Sequence, residues 1–187
     1  MAVVSYFDLT DEQLVDLTLR GERQAFNEIV ERYQGMVART VKGMLGDAVF
    51  TEDIGQDAFV SLFNSLSDFR GEAKLSTYLN RIAVNLTLNE IKRRKRSRGV
   101  LTVSETGDQI FHEIPDENDH DRRDVREVVD KALQILEPKF RAVVVMRLLE
   151  GYSTKETAEV LGIPIGTVLS RLSRAQEQLR IIISNIK

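Results

Sequence analysis

GYSTKETAEVLGIPIGTVLSRLSRAQEQL, residues 151–179, is the stretch that decides the fold. Ser153, Thr154, Lys155 and Glu156 have the spacing of a capping box, in which the serine oxygen takes a first-turn amide and the glutamate reaches back to the serine amide. A short helix with Ala158, Val160 and Leu161 apolar follows. Gly162 turns the chain, Ile163 and Pro164 come next, and a second helix sets Val168, Leu172 and Leu179 inward and Thr167, Ser170, Arg171 and Arg174 outward. Two short helices across a tight glycine turn describe a helix-turn-helix, whose second helix lies in the major groove of DNA. The outward residues suit that task, because arginine bonds guanine edges or phosphates and serine or threonine serves either. The same spacing also describes an ordinary helical hairpin with a solvated polar face.

Helical spacing continues upstream. Phe140 through Val144 to Leu148 form one stripe, Pro138 breaks it, and Val125, Val128, Val129, Ala132, Leu133 and Leu136 form another. Before these, from Gly99 to Asp124, the pattern stops: the segment holds Gly107, Pro115 and the acids Asp116, Glu117, Asp119 and Asp121, and reads as an acidic flexible linker. His112, Asp116, His120 and Asp124 recur every four residues, which an unbroken helix would align as metal-capable groups. Pro115 and the lack of an apolar face speak against that helix, so no metal and no cofactor are expected.

The N-terminal half is helical too. Thr10 to Gln13 has the form of a capping box at the start of a short helix reaching about Arg20. Phe26, Ile29, Val30, Tyr33, Val37, Val41 and Leu45 then step by three or four until Gly46 supplies a C-terminal cap. Gly35 and Gly43 weaken this long helix by about 1 kcal/mol each relative to alanine, so packing must sustain it. A third helix starts near Thr51 and carries Ile54, Ala58, Phe59, Leu62 and Phe63; after the break at Gly71 a fourth begins near Ser76 and runs through Leu79, Ile82, Ala83, Leu86 and Ile91 into KRRKRSR, residues 92–98. No strand alternation of useful length occurs, so the fold class is all-α, in two small helical domains at residues 1–98 and 125–187 joined by the acidic linker 99–124.

Composition narrows the function. The 187 residues are 42% apolar and 29% charged, enough for two small cores. With no cysteine, neither a disulfide framework nor a zinc-thiolate site is available, which fits a reducing compartment. No apolar run approaches the length of a membrane span and the start lacks a secretory pattern, so a cytoplasmic protein without membrane insertion is expected. The net charge of −3 hides a partition: residues 1–98 carry 14 Lys+Arg and 14 Asp+Glu, 99–124 carry 2 and 8, and 125–187 carry 10 and 7. Such an asymmetry signals partner binding.

Taken together, the motifs resemble the sigma-70 family of RNA polymerase sigma factors, in its compact extracytoplasmic-function group. Residues 151–179 are similar to the family's promoter-reading helix-turn-helix, in which a GTV segment opens the recognition helix. TEDIGQDAFVSLFNSLSDFRGEAKLSTYLNRIAVN, residues 51–85, resembles its second region: a D-x-x-Q-[DE]-x-F core, an F-R-G turn and a T-[WY]-L-x-R-I-A-x-N helix. The resemblance covers nearly the whole chain and implies a non-enzymatic subunit that brings core RNA polymerase to promoters and opens them. It also implies an anti-sigma factor as a partner.

By that resemblance Asp53, Gln56, Asp57 and Phe59 meet core RNA polymerase. Positions three and four apart share a helix face, and carboxylates beside an amide suit a basic partner. Phe59 and Phe63 also fit a packed core. Phe69, Arg70, Lys74, Thr77, Tyr78, Asn80, Arg81 and Asn85 correspond to the single-stranded minus-ten site, where unpaired bases rest on aromatic surfaces beside cations. Tyr78 replaces the tryptophan of most relatives and fits the core as well. Lys92, Arg93 and Arg94 open a run of six cations in seven residues, suited to phosphates or to complementing the helix dipole. Lys155, Thr167, Ser170, Arg171 and Arg174 correspond to the duplex minus-thirty-five contacts. Leu169 and Gln176 stand where relatives are usually basic, which implies an unusual or weaker upstream preference. The acidic linker is expected to thread the polymerase's active-site cleft and RNA exit path.

Two rivals are weighed against this reading. A stand-alone helix-turn-helix regulator leaves DIGQDAF and STYLNRIAVN unexplained. A metal-dependent enzyme would need the linker acids folded, and the chain has neither a Walker-type loop nor a cysteine nucleophile.

Overall fold

A computed structural model describes residues 5–46, 49–100 and 120–186. Among them are eight α-helices and no strand. The first four, α1 (Asp11–Leu19), α2 (Arg23–Leu45), α3 (Val49–Ser65) and α4 (Leu75–Val100), pack as one bundle. α5 (His120–Ile135), α6 (Pro138–Val144), α7 (Thr154–Leu161) and α8 (Ile165–Ile186) form a second group. α6 continues as a π-helical turn over Val145–Leu149.

Local chemistry sets the ends as the sequence leads one to expect. Thr10 caps α1 in a reciprocal pair with Gln13. Gly46 ends α2 at φ +72°, a left-handed position. A Cβ there would stand 2.6 Å from the Gln134 side chain, so close approach as well as backbone conformation requires glycine. α4 is helical to Val100 and α5 begins at His120, so residues 99, 100 and 120–124 extend the helices into the expected linker. His112 and Asp116 lie outside the described residues, among which no cluster of metal-capable side chains occurs.

Each helical group has its own core. Leu14, Ile29, Val37, Val41, Ala58, Leu62, Leu75 and Leu79 fill the first. Leu133, Leu136, Phe140, Val144 and Ala175, with Val143, Ala158 and Val168 alongside, fill the second. Burying each large aliphatic side chain contributes about 1.5–3 kcal/mol. The groups are not separate bodies: Met44 of α2 and Val84 of α4 share a third cluster with Ala142, Val145, Met146 and Val160. Gly43 lets them meet, since a Cβ on it would lie 3.1 Å from Val145 Cγ2 and 3.5 Å from Leu149 Cδ1. The glycine that costs α2 propensity is thus a site of close packing.

Candidate nucleic-acid interface

The helix-turn-helix is built as its spacing implies. The Ser153 amide donates to Glu156 Oε2 at 2.9 Å and the Glu156 amide donates to Ser153 Oγ at 3.1 Å. The Ser153 amide and hydroxyl, followed by Lys74, hold the Glu156 carboxyl at about 2, well below its ordinary value. Gly162 turns the chain at φ +63°. On α8, Val168 and Ala175 are fully buried, while Ser170 and Arg174 are exposed and Thr167 and Arg171 are half-buried. Lys155 is exposed on α7. Leu169 is 53% exposed and Ile165 49%, an apolar pair one turn apart at the start of the recognition helix.

On α3, Asp53, Gln56 and Asp57 are exposed on one face. Phe59 is not: only 9% of it is accessible, and it sits in the first core, because its helical position falls on the Leu62 and Leu66 side. In this arrangement it packs in the core and does not share the exposed face of Asp53, Gln56 and Asp57. The apolar residues beside the acidic face are Val60 and Phe63, both more than half exposed. Phe63 meets Phe26 edge-on at 5.0 Å.

The residues expected around unpaired bases divide into two sets. Arg70, Arg81, Asn85, Lys92 and Arg93 are exposed. Phe69 and Tyr78, half-buried, pack at 5.3 Å with planes tilted 47°. Thr77 and Asn80 are buried, at 4% and 0% exposure, so neither faces solvent in this arrangement. In the basic run, Glu90 binds Arg93 at 2.7 Å and Arg94 at 2.9 Å, and these bonds hold its carboxyl at about 2. Arg94 also lies 4.3 Å over the Phe50 ring. Among the described residues Lys92, Lys95 and Arg96 form no ion pair.

The two halves meet through contacts that sequence reasoning did not foresee. Asn80 Nδ2 donates to the Tyr152 hydroxyl at 2.6 Å, and Asn80 Oδ1 accepts from Thr40 Oγ1 at 3.0 Å. Lys74 pairs with Glu156 at 3.0 Å. Arg39 forks onto Glu150 through Nε at 3.2 Å and Nη2 at 3.1 Å, and the Glu150 side chain is only 3% exposed. Arg141, buried, donates to the carbonyls of Met44, Gln134 and Leu136, orphan acceptors at the ends of α2 and α5. Burial pushes its guanidinium down to about 10. An arginine within the apolar run FRAVVVM was the signal for such a role.

A groove of about 400 Å³ follows the same seam, with Leu88, Ile91, Ala142 and Leu161 inside and Lys92, Lys95, Lys139 and Arg171 among its lining. Cations expected at different parts of a promoter therefore converge on one groove.

Comparison with known proteins places these observations in a family. The model described as "Sigma-70 region 2" matches residues 29–97 and "Sigma-70, region 4" matches residues 126–179. The chain is 34% identical over 180 residues to the ECF RNA polymerase sigma-E factor of Escherichia coli strain K12, covering 91% of this chain and 93% of that protein. It is 31% identical over 176 residues to the RNA polymerase sigma-H factor of Pseudomonas aeruginosa, covering 90% and 91%. Its fold is similar to CnrH in complex with the cytosolic domain of CnrY, with a TM-score of 0.70 at 24% identity over 95% of this chain and 99% of that one. It is also similar in fold to the sigma factor RpoE in complex with the anti-sigma factor NepR from Bartonella quintana, with a TM-score of 0.63 at 22% identity, covering 85% and 96%.

Proposed function

This chain belongs to the sigma-70 family, as an RNA polymerase sigma factor of the extracytoplasmic-function kind, and we propose that its two helical groups divide promoter recognition between them. Residues 125–187 read the upstream duplex through α8, with Ser170 and Arg174 reaching base edges or phosphates and Thr167, Arg171 and Lys155 at the flanks. Residues 1–98 hold core RNA polymerase through Asp53, Gln56 and Asp57 on α3, with Val60 and Phe63 supplying apolar area beside them. The observation that carries this reading is the order and extent of the two family matches, together spanning both helical groups.

The downstream element is handled by α4 and the turn before it. Phe69, Arg70, Lys74 and Tyr78 provide an aromatic pair beside cations, the combination that holds unpaired bases. Arg81, Lys92, Arg93 and Arg94 continue the cationic track, with the neutral amide of Asn85 beside it, and the linker acids follow it into the polymerase's active-site cleft and RNA exit path. Thr77 and Asn80 act from the interior, supporting α4 and not touching bases in the arrangement seen here. No catalytic step falls to the chain itself, and its work is cytoplasmic, where core polymerase is found. No helix among the described residues is long and apolar enough to cross a membrane. An anti-sigma factor is proposed as a second protein partner, by analogy with RpoE of Bartonella quintana, which is seen in complex with the anti-sigma factor NepR.

A run-off transcription assay tests the proposal. Core polymerase with this chain is expected to yield a discrete promoter-dependent transcript that core alone does not. Duplex binding by the chain alone, with no stimulation of core, would favour the stand-alone regulator.

A further inference from the structure

We propose that Ile165 and Leu169 of α8 read the C5 methyl groups of thymines in the upstream element, so that this chain selects a pair of nearby thymines where the major groove meets the first two turns of that helix. The inference rests on the assignment of α8 to the upstream duplex and names what the helix selects there.

An apolar surface stands where a helix-turn-helix faces DNA. Ile165 is 49% exposed and Leu169 53%, although Val168, beside Leu169 in the chain, is fully buried. Four residues apart, the pair shares one helix face with Cβ atoms about 5–6 Å from each other. The stripe continues through Ser173 and Gln176, both exposed, so this flank of the outward surface carries four side chains and no charge. By helical period Ser170 lies at the middle of that surface, and Arg171 and Arg174 lie on its other flank. Gly166 leaves the backbone open on the outward side, since a Cβ there would meet nothing of this chain within 4 Å.

The chemistry of the groove identifies what covers the pair. Recognition helices present their N-terminal residues to base edges, and Ile165 and Leu169 are the first and fifth residues of α8. Guanine, adenine and cytosine offer polar donors and acceptors in the major groove, whereas thymine adds a methyl group. A leucine set against a purine edge would leave ring acceptors without a partner, which is costly. Set against thymine, it removes two apolar groups from water together. Base pairs rise by about 3.4 Å per step, so the two side chains reach methyl groups one or two steps apart. Ser170 and Arg174, on the same face, fix the helix on the duplex. A cation at position 169 would instead tighten binding to any sequence through phosphates. Leucine there favours choice of base over general affinity.

The test uses holoenzyme assembled with the full-length chain and a promoter fragment that supports the run-off transcript. Each thymine of the minus-thirty-five element is replaced in turn by deoxyuridine, which keeps the hydrogen-bonding groups of the base and lacks only the C5 methyl. Affinity in a fluorescence titration is expected to fall about fourfold at each of two positions one or two steps apart, the factor for one methyl-sized group leaving an apolar contact. Leu169→Ala should bind the parent fragment more weakly and lose the distinction between thymine and deoxyuridine at one of those positions. Ile165→Ala should lose it at the other. Leu169→Arg should bind both fragments more tightly and likewise lose the distinction. Each variant is compared with itself on two fragments, so a general loss of folding lowers both affinities and cannot mimic a lost distinction.

An upstream element at which no exchange to deoxyuridine matters would overturn the proposal. So would a sensitivity that persists undiminished at both positions in either alanine variant. Failure of the underlying assignment takes a different form: Arg174→Ala would then bind the promoter as the parent does, whereas failure of methyl reading alone leaves the Arg174→Ala loss in place.

Discussion

The Tyr152 hydroxyl accepts a 2.6 Å hydrogen bond from Asn80 Nδ2, joining the turn before α7 to the second turn of α4 across a separation of 72 residues. Burial pushes the Tyr152 phenol above its ordinary range, so it stays neutral at physiological pH. Tyr152→Phe leaves a fully buried amide without that acceptor. A loss of about 1–3 kcal/mol is expected, read as a lower urea midpoint. An unchanged midpoint would mean that the bond adds nothing to the free chain.

The Ser153–Glu156 capping box predicts a definite pH dependence. Because the folded-state pKa of Glu156 is depressed to about 2, its contribution is complete above the ordinary carboxylate pKa and is lost as pH falls from about 4.5 toward 2. Ser153→Ala removes the oxygen that holds the first turn of α7. A loss of about 1 kcal/mol is expected near neutral pH, with a smaller difference from wild type at acid pH. Thermal unfolding of both proteins at pH 7 and pH 3.5 measures it.

The face of α3 gives a binding prediction. Gln56→Ala with Asp57→Lys alters two exposed positions and removes no buried contact, so helical content should be retained. Affinity for core polymerase is expected to fall about tenfold or more in a fluorescence titration, as for loss of an interfacial charge pair. Phe59→Ala is predicted to act differently: it empties part of the core and lowers stability by about 3–5 kcal/mol.

The recognition helix yields a fourth prediction. Arg174→Ala removes an exposed cation and is expected to weaken promoter binding, with about 1–3 kcal/mol of selectivity lost if the contact is to a base edge. Leu169→Arg places a cation at an exposed position where the family resemblance implies one. It should strengthen holoenzyme binding to duplex DNA and steepen the salt dependence by about one counterion. Equal salt slopes would mean that residue 169 lies off the phosphate backbone.

Much of this architecture is legible in the sequence, and the reason is local. Thr10, Gly46, Ser153, Pro138 and Gly162 mark helix ends through chemistry confined to a few neighbours, and the structure puts helix ends at or beside each of them. The surface positions of Asp53, Gln56, Asp57, Ser170 and Arg174 follow from helical period in the same way. What stays hidden depends on residues far apart in the chain. Nothing near Asn80 announces Tyr152, and Thr77 and Asn80 read as polar surface because their cover comes from distant elements. Phe59 fits both a family motif and a core stripe, and only packing separates the two. Gly43 reads as a propensity defect until Val145 is seen against it.

Promoter opening through the segment around Lys74 is the step on which the proposed function turns, and permanganate footprinting decides it. The variant carries Lys74→Ala and Arg70→Ala, both at exposed positions, and is compared with wild type on a fully paired promoter and on one mismatched at the minus-ten element. It is expected to assemble with core normally, since both positions are exposed and neither lies on the α3 face proposed to hold core. Thymine reactivity should fall on the paired template and recover in part on the mismatched one, where the unpairing cost of a few kcal/mol is absent. Equal reactivity of wild type and variant on the paired promoter would contradict this role and return Phe69 and Tyr78 to that of packed core residues.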